Sequence, residues 1–329
     1  MEADLGIYRK NMMGLLSGMG AAYLLYKPIN RSTNTDDHNR RTSSDEHSSC
    51  VDAGTGSSHM IQADASGFTI TSSCDDMDAQ HLHRLLAVLK QNPNPTLKAL
   101  IGTSICRLAA FSGNHELIRS QGGISIIVES LNDPLTEIKV DALNALNFLS
   151  NNASNREIIQ EYVHQVRELV SAAILDSELQ LAALRLLSNL LHYHQNQLKM
   201  KRSIPEFFEL LQKGSTQTKA QVLKIFINLS TNLELTFDIL NTRVPLTFLS
   251  LFNTCMPSDI LQGHLTFVAN LNEIRKSPNY ESAHHEYNEE SLFALLFGGS
   301  QFSNKLFSLM TRPDNGVFLL TTKILTKLR

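Results

Sequence analysis

Tryptophan is absent from the 329 residues, and Phe and Tyr bring the aromatic share to only 7%. Sandwich and barrel cores lean on aromatic and β-branched side chains, so this scarcity points away from strands and towards helices packed on helices. Cysteine is scarce too: Cys50, Cys74, Cys106 and Cys255 are far apart and form no CxxC pair. That spacing argues against a disulfide framework or a cysteine zinc site and fits a reducing compartment. No P-loop, GxSxG, HExxH or GxGxxG pattern occurs, so the phosphate cradles, nucleophile elbows and zinc helices they encode have no candidate.

An excess of one charge is also missing over most of the chain. Residues 79–329 hold 23 basic and 21 acidic side chains, without the basic footprint of a nucleic-acid binder. The asymmetry is confined to residues 30–78, where Arg31, Arg40 and Arg41 face nine acidic residues. This stretch is rich in Ser, Thr, Asp, Asn, His and Gly and cannot bury enough apolar surface to offset its ordering entropy, so it reads as a disordered acidic linker. The sequon Asn228-Leu229-Ser230 falls inside an apolar helical stretch. A sugar there is incompatible with packing, which argues against secretion.

Before the linker, residues 12–26 read MMGLLSGMGAAYLLY without a charge, with Arg9-Lys10 ahead and Lys27 and Arg31 behind. A helix of that length covers about 22 Å, short of the roughly 30 Å hydrocarbon core. Ile7 and Tyr8 can extend it and Lys27 can snorkel. A secretory signal peptide, a mitochondrial presequence and an uncleaved anchor compete for this segment. The acidic Glu2 and Asp4 weigh against a presequence, and the cysteines and the sequon weigh against secretion. We read residues 1–29 as a membrane anchor, with Leu15, Leu16, Tyr23, Leu24 and Leu25 entering the bilayer. Gly14, Gly18 and Ala22 lie four apart and share one face, which either packs two anchors together, giving self-association, or merely lowers hydrophobicity.

Self-similarity organises the remainder, residues 79–329. The stretches ICRLAAFSGN, ALNALNFLSNN, ALRLLSNLLHY, VLKIFINLSTN and HLTFVANLNEI share one helical ending, which aligns Phe111, Leu149, Leu190, Leu229 and Leu271. Their spacings of 38, 41, 39 and 42 residues approach the period of armadillo and HEAT repeats. Apolar residues recur at i, i+3, i+4 and i+7, the pattern of solenoid helices packed on two sides. Breakers recur between the long helices: Gly122-Gly123, Pro205 and Pro245. Each unit therefore reads as a short helix, a break, a second helix, a turn and a long third helix, which is the armadillo plan. The expected fold is all-α, a right-handed superhelical solenoid of about five to six repeats, its last unit capping the stack.

In armadillo solenoids the third helices line the groove, where an Asn before the last apolar anchor pairs with a peptide backbone. The sequence has Asn189, Asn228 and Asn270 there, but Ala110 and Phe148 in the first two aligned stretches. An amide offers both donor and acceptor to a peptide unit; alternatively these amides serve backbone groups of the solenoid. The histidines have no i, i+4 spacing: His81 and His83 face different ways, His192 and His194 flank a helix end, and His284-His285 reads as a polar loop. No metal ligand set, catalytic residue or cofactor is expected. Lys199-Met200-Lys201-Arg202 reads as a solvated face before Pro205 rather than a nuclear signal.

The chain resembles the membrane-anchored armadillo-repeat family. The resemblance is carried by GAAYLLYK at 20–27, SELQLAALRLLSNL at 177–190, FDILNTRV at 237–244, FLSLF at 248–252 and YNEESLFALLFG at 287–298. It covers the anchor and nearly all of residues 80–329, but not the linker. It implies a non-enzymatic scaffold on the mitochondrial outer membrane with its armadillo domain in the cytosol. Its partners would be other proteins of that membrane, its role the arrangement or adhesion of mitochondria, including formation of the sperm mitochondrial sheath. The competing reading is a soluble cytoplasmic or nuclear adaptor for extended peptide segments.

Overall fold

The computed structural model describes residues 61–62, 69–70, 79–91, 94–283 and 285–328. The anchor residues Gly14, Leu15, Leu16, Gly18, Ala22, Tyr23, Leu24 and Leu25 lie outside them. No described helix is long and apolar enough to cross a membrane. Within the acidic segment, Ile61–Gln62 (β1) pairs antiparallel with Thr69–Ile70 (β2).

Helices form where the apolar period meets a capping residue. The first described pair, α1 (Ala79–Gln91) and α2 (Pro95–Ala109), precedes the complete units. Asn94 accepts from the amides of Thr96 and Leu97 at 3.0 and 3.3 Å, and Pro95 stands in the first turn, where its missing N–H costs nothing. The first complete unit is α3 (His115–Ser120), α4 (Gly123–Glu129) and α5 (Thr136–Leu149). Its break uses Gly122 at φ 69°, a left-handed conformation that a side chain resists. Beside it, a Cβ on Gly123 would stand 2.8 Å from the Ile118 carbonyl oxygen, so the second glycine is a matter of clearance.

Two further units follow the plan: α6 (Ala153–Ile159), α7 (Val163–Ala172) and α8 (Glu178–Leu190), then α9 (His194–Leu198), α10 (Ile204–Lys213) and α11 (Thr216–Leu229). Ser177 and Ser215 cap α8 and α11 through the amides of Gln180 and Thr218. The fourth unit departs. After α12 (Leu233–Asn241) the expected second helix is only a 3-10 turn, Leu246–Leu251, before the third helix α13 (Ser258–Arg275). The fifth comprises α14 (Pro278–Glu281), an additional α15 (Leu292–Phe297), α16 (Ser300–Leu309) and α17 (Asn315–Thr326). The segment before α15 returns to the fourth unit: Val244 N donates to Glu290 O, and Leu292 N to Thr242 O, at 3.2 and 2.9 Å.

The long helices α2, α5, α8, α11, α13 and α17 stack consecutively, each against the next. In α8, Leu181, Ala182, Ala183, Leu184, Leu186, Leu187 and Leu190 are all buried, as a helix covered by neighbours on both sides requires. Each such fully buried leucine contributes about 1.5–3 kcal/mol relative to exposure. Phenylalanines thread the later repeats: Phe226 lies 4.5 Å from Phe208 and 4.8 Å from Phe267, ring centre to ring centre. Phe248, Phe252 and Phe302 carry the chain of contacts on to α16.

Polar ties join the units. Thr103 Oγ1 donates to Asp141 at 2.7 Å, Asn232 Nδ2 to Gln197 Oε1 at 3.0 Å, and Lys98 pairs with Asp133. Asp176, itself at φ 62°, accepts from Ser215 N and Thr218 Oγ1, both at 2.7 Å.

Candidate peptide-binding groove

Curvature in a stack of this kind places the third-helix row on an extended inner surface, so its exposed positions define the candidate site. Their register starts from the buried anchor at each helix end. Leu149, Leu190, Leu229 and Leu271 are fully buried as expected, but Phe111 is 45% exposed and lies beyond α2. Asn114 Nδ2 donates to Leu108 O as Asn196 Nδ2 does to Leu190 O, each at 3.0 Å. The first anchor is therefore Leu108, three residues earlier than the sequence alignment put it, because Phe111-Ser112-Gly113-Asn114 imitates the endings of the later helices. The residues preceding the five anchors are Arg107, Phe148, Asn189, Asn228 and Asn270.

The three amides stand half-buried on successive stacked helices. Each turns its Nδ2 back to the preceding repeat. Asn189 donates to Asn147 Oδ1 and Ser150 Oγ at 3.0 and 3.2 Å; Asn228 donates to Ser188 O at 3.0 Å. Asn270 reaches Ser230 Oγ at 3.1 Å and Ile227 O at 3.5 Å. The sequence offered two roles for these amides, and the structure fills one of them in part, because a donor of each is committed to the solenoid. No described donor is paired with their Oδ1 atoms, so each offers a bound peptide an acceptor for its N–H groups, and Asn228, with a single Nδ2 bond, keeps one donor as well.

Four residues earlier, hence on the same helix face, run Thr103, Asn144, Arg185, Lys224 and Thr266, none of them buried. Arg185 is crowded by protein, and this desolvation lowers its pKa against the opposing pull of Glu178. Desolvation and then the charge of Arg185 lower that of Lys224. On α5, burial raises the Asp141 carboxyl despite the Thr103 hydrogen bond. Burial pushes the Cys106 thiol up to about 12, with Asp141 adding to the rise, so this thiol is a packing group without nucleophilic character. Among the described residues, no three or more His, Cys, Asp and Glu side chains gather as a metal site would need.

Several polar residues sit elsewhere than their sequence context indicated. His285, read as part of a polar loop, is stacked on Phe237 with centroids 5.0 Å apart. It belongs to a ring cluster in which Tyr287 stacks on Phe293 at 3.9 Å and the Tyr280 and Tyr287 hydroxyls are hydrogen-bonded. Met200 is fully buried between the exposed cations of 199–202, and Lys201 pairs with Asp238 at 2.9 Å. His264 is buried in α13 with Nδ1 donating to Ile260 O at 2.8 Å. Away from the third-helix row, a cleft of about 880 Å³ opens beside the shortened second element, lined by Phe208, Pro245, Leu246 and Leu295.

Residues 77–297 match the armadillo-like family Arm_2. Armadillo repeat-containing protein 12 of Mus musculus is 29% identical over 97% of this chain and 89% of its own length. Among solved structures, a designed armadillo repeat protein superposes with TM-score 0.61 at 15% identity, over 75% of this chain and 100% of the other. A second, in complex with the peptide (KR)4, gives TM-score 0.60 at 13% identity over 75% and 99% of the two chains. The stacked three-helix units and the match across them establish that this chain belongs to the armadillo-like family.

Proposed function

We propose that the chain is a non-enzymatic scaffold that holds extended segments of partner proteins along its third-helix face. The observation that carries this reading is the row formed by Asn189, Asn228 and Asn270, whose Nδ2 groups are fixed by the preceding repeat while their Oδ1 acceptors are unpaired among the described residues. Such fixing pre-orients the carbonyls and reduces the ordering cost of binding. That one designed armadillo protein is complexed with the peptide (KR)4 supports the same use of the fold.

The full reading places the scaffold on the mitochondrial outer membrane, held by residues 12–26, with the armadillo domain in the cytosol. There it would bind proteins of the same or a neighbouring mitochondrion and so arrange or join them. The family resemblance supports this role, including in formation of the sperm mitochondrial sheath.

Selection of a random linear-peptide library on the full chain tests the groove. Recovered peptides should bind Asn189→Ala/Asn228→Ala/Asn270→Ala about ten- to a thousand-fold more weakly, at about 0.5–1.5 kcal/mol per lost hydrogen bond. Binding should be measured where circular dichroism shows the variant folded, since each substitution also removes an inter-repeat bond. Unchanged affinity would put binding elsewhere.

For the membrane reading, Leu16→Arg with Leu24→Arg adds about 2.5–3.5 kcal/mol per charge on insertion scales. The variant should move from pellet to supernatant on carbonate extraction of isolated mitochondria. If it remains in the pellet, these residues are not the anchor; if the wild type is itself extracted, the soluble-adaptor reading replaces this one.

A further inference from the structure

We propose that Arg185 and Lys224 form a subsite for one anionic side chain of the bound peptide, a carboxylate or a phosphorylated hydroxyl; the proposal rests on the groove reading above and specifies its ligand. The two cations hold the same position on α8 and α11, helices packed directly against each other. Each stands four residues before an amide of the ladder, Arg185 before Asn189 and Lys224 before Asn228, so cation and amide share a face one turn apart. The equivalent positions on α2, α5 and α13 are Thr103, Asn144 and Thr266. Of these five helices, α8 and α11 bring positive charge to this line and the others do not.

Neither cation makes a hydrogen bond or ion pair through its side chain among the described residues. Arg185 is half-buried, and the two charges repel one another. Glu178 lies near enough to favour the Arg185 cation without pairing with it. A pair of like charges, Arg185 half-buried and Lys224 at the surface, with no ion-pair partner among the described residues, is unfavourable for the chain alone. An anion seated between them would relieve the repulsion and engage the guanidinium fork in charge-assisted hydrogen bonds. Packed helices are about 8–10 Å apart, so one side chain between α8 and α11 meets both cations while the adjoining peptide units lie against Asn189 and Asn228.

The test uses peptides recovered from a random linear library selected on the full chain. Their consensus should carry Asp or Glu at one position. Synthetic versions bearing Glu, phosphoserine, Ser or Lys there should separate, with the anionic peptides binding about 10- to 100-fold more tightly than Ser and Lys weakest. Tighter binding of Glu assigns a carboxylate as the ligand, and of phosphoserine a phosphate. Arg185→Gln with Lys224→Gln should erase this preference, leave the Ser peptide unaffected, and keep or raise Tm, since repulsion is removed. A readout free of any variant is the Lys224 side-chain NMR signal, which should show its pKa rising when the Glu peptide is added. Peptides that bind without anionic preference, or a preference that survives in the double variant, overturn the subsite and leave the groove standing. A library that yields no peptide weakened by Asn228→Ala overturns both.

Discussion

Replacing Phe226 by Ala should lower the unfolding free energy by about 3–5 kcal/mol, enough to remove a large part of a typical domain's stability. Phe226 is fully buried in α11 and touches rings on both sides: Phe207 and Phe208 of α10 at 6.2 and 4.5 Å, and Phe267 of α13 at 4.8 Å. The loss therefore combines transfer free energy, a cavity that rigid helices close only in part, and aromatic contacts across a repeat boundary. In urea the midpoint should fall while the initial slope of the transition is kept or becomes shallower, since neighbouring repeats then separate more readily. A decrease below about 1 kcal/mol would show that the stack relaxes into the space, contrary to the packing described.

Acidification should act through His264. Burial is the main cause that lowers its pKa from 6.5 to about 4, opposed by the Nδ1 bond to Ile260 O. Its Nε2 is buried without a partner, so a proton there would be a charge without solvation. Between pH 6.5 and about 4 the unfolded chain binds a proton that the folded chain refuses. Unfolding free energy is therefore complete in this respect above pH 6.5 and falls with pH down to about 4, by about 3 kcal/mol at 1.36 kcal/mol per unit. Asp141, raised above 3.8 by burial, works the other way, gaining stability as pH falls, whereas Asp133, held low by Lys98 and the Leu135 amide against its own desolvation, withdraws stability only below pH 3.8. The contribution of His264 is the difference between wild type and His264→Phe, measured by urea unfolding at pH 7 and pH 4.5. Parallel pH dependence in the two proteins would exclude it.

Much of this architecture was legible because a solenoid repeats its local code. Leu149, Leu190 and Leu229 each end a helix buried on two sides, Leu271 lies one turn before the end of another, and the period and the i, i+3, i+4 pattern both identify them. The amide row followed from the same alignment. The errors arose where chemistry is supplied from outside the local pattern. Phe111 matched the other helix endings in letters, yet the chain turns before it, at Ala110. His264 reads as one polar residue on a helix, and only the packing of Phe252 at 5.6 Å reveals its surroundings. The cations of the groove were invisible as a pair, since Arg185 and Lys224 are a whole repeat apart and meet only when α8 and α11 stack.

The loan made by the fifth unit to the fourth bears on how the protein is synthesised. A ribosome delivers the chain from its N-terminus, and domains tend to fold in that order. The first three units can each close on the neighbour before them as they emerge, because their helices are contiguous. The fourth cannot. Its backbone partners at Glu290 and Leu292, and the Tyr287 ring that packs on Phe237, are encoded 46 to 50 residues downstream. Until residue 297 has left the exit tunnel, α12 and the 3-10 turn carry open apolar surface, with Leu246 at its edge. The final two units therefore mature in a single step, and a chain stalled between 251 and 290 is the species most exposed to chaperones and to aggregation.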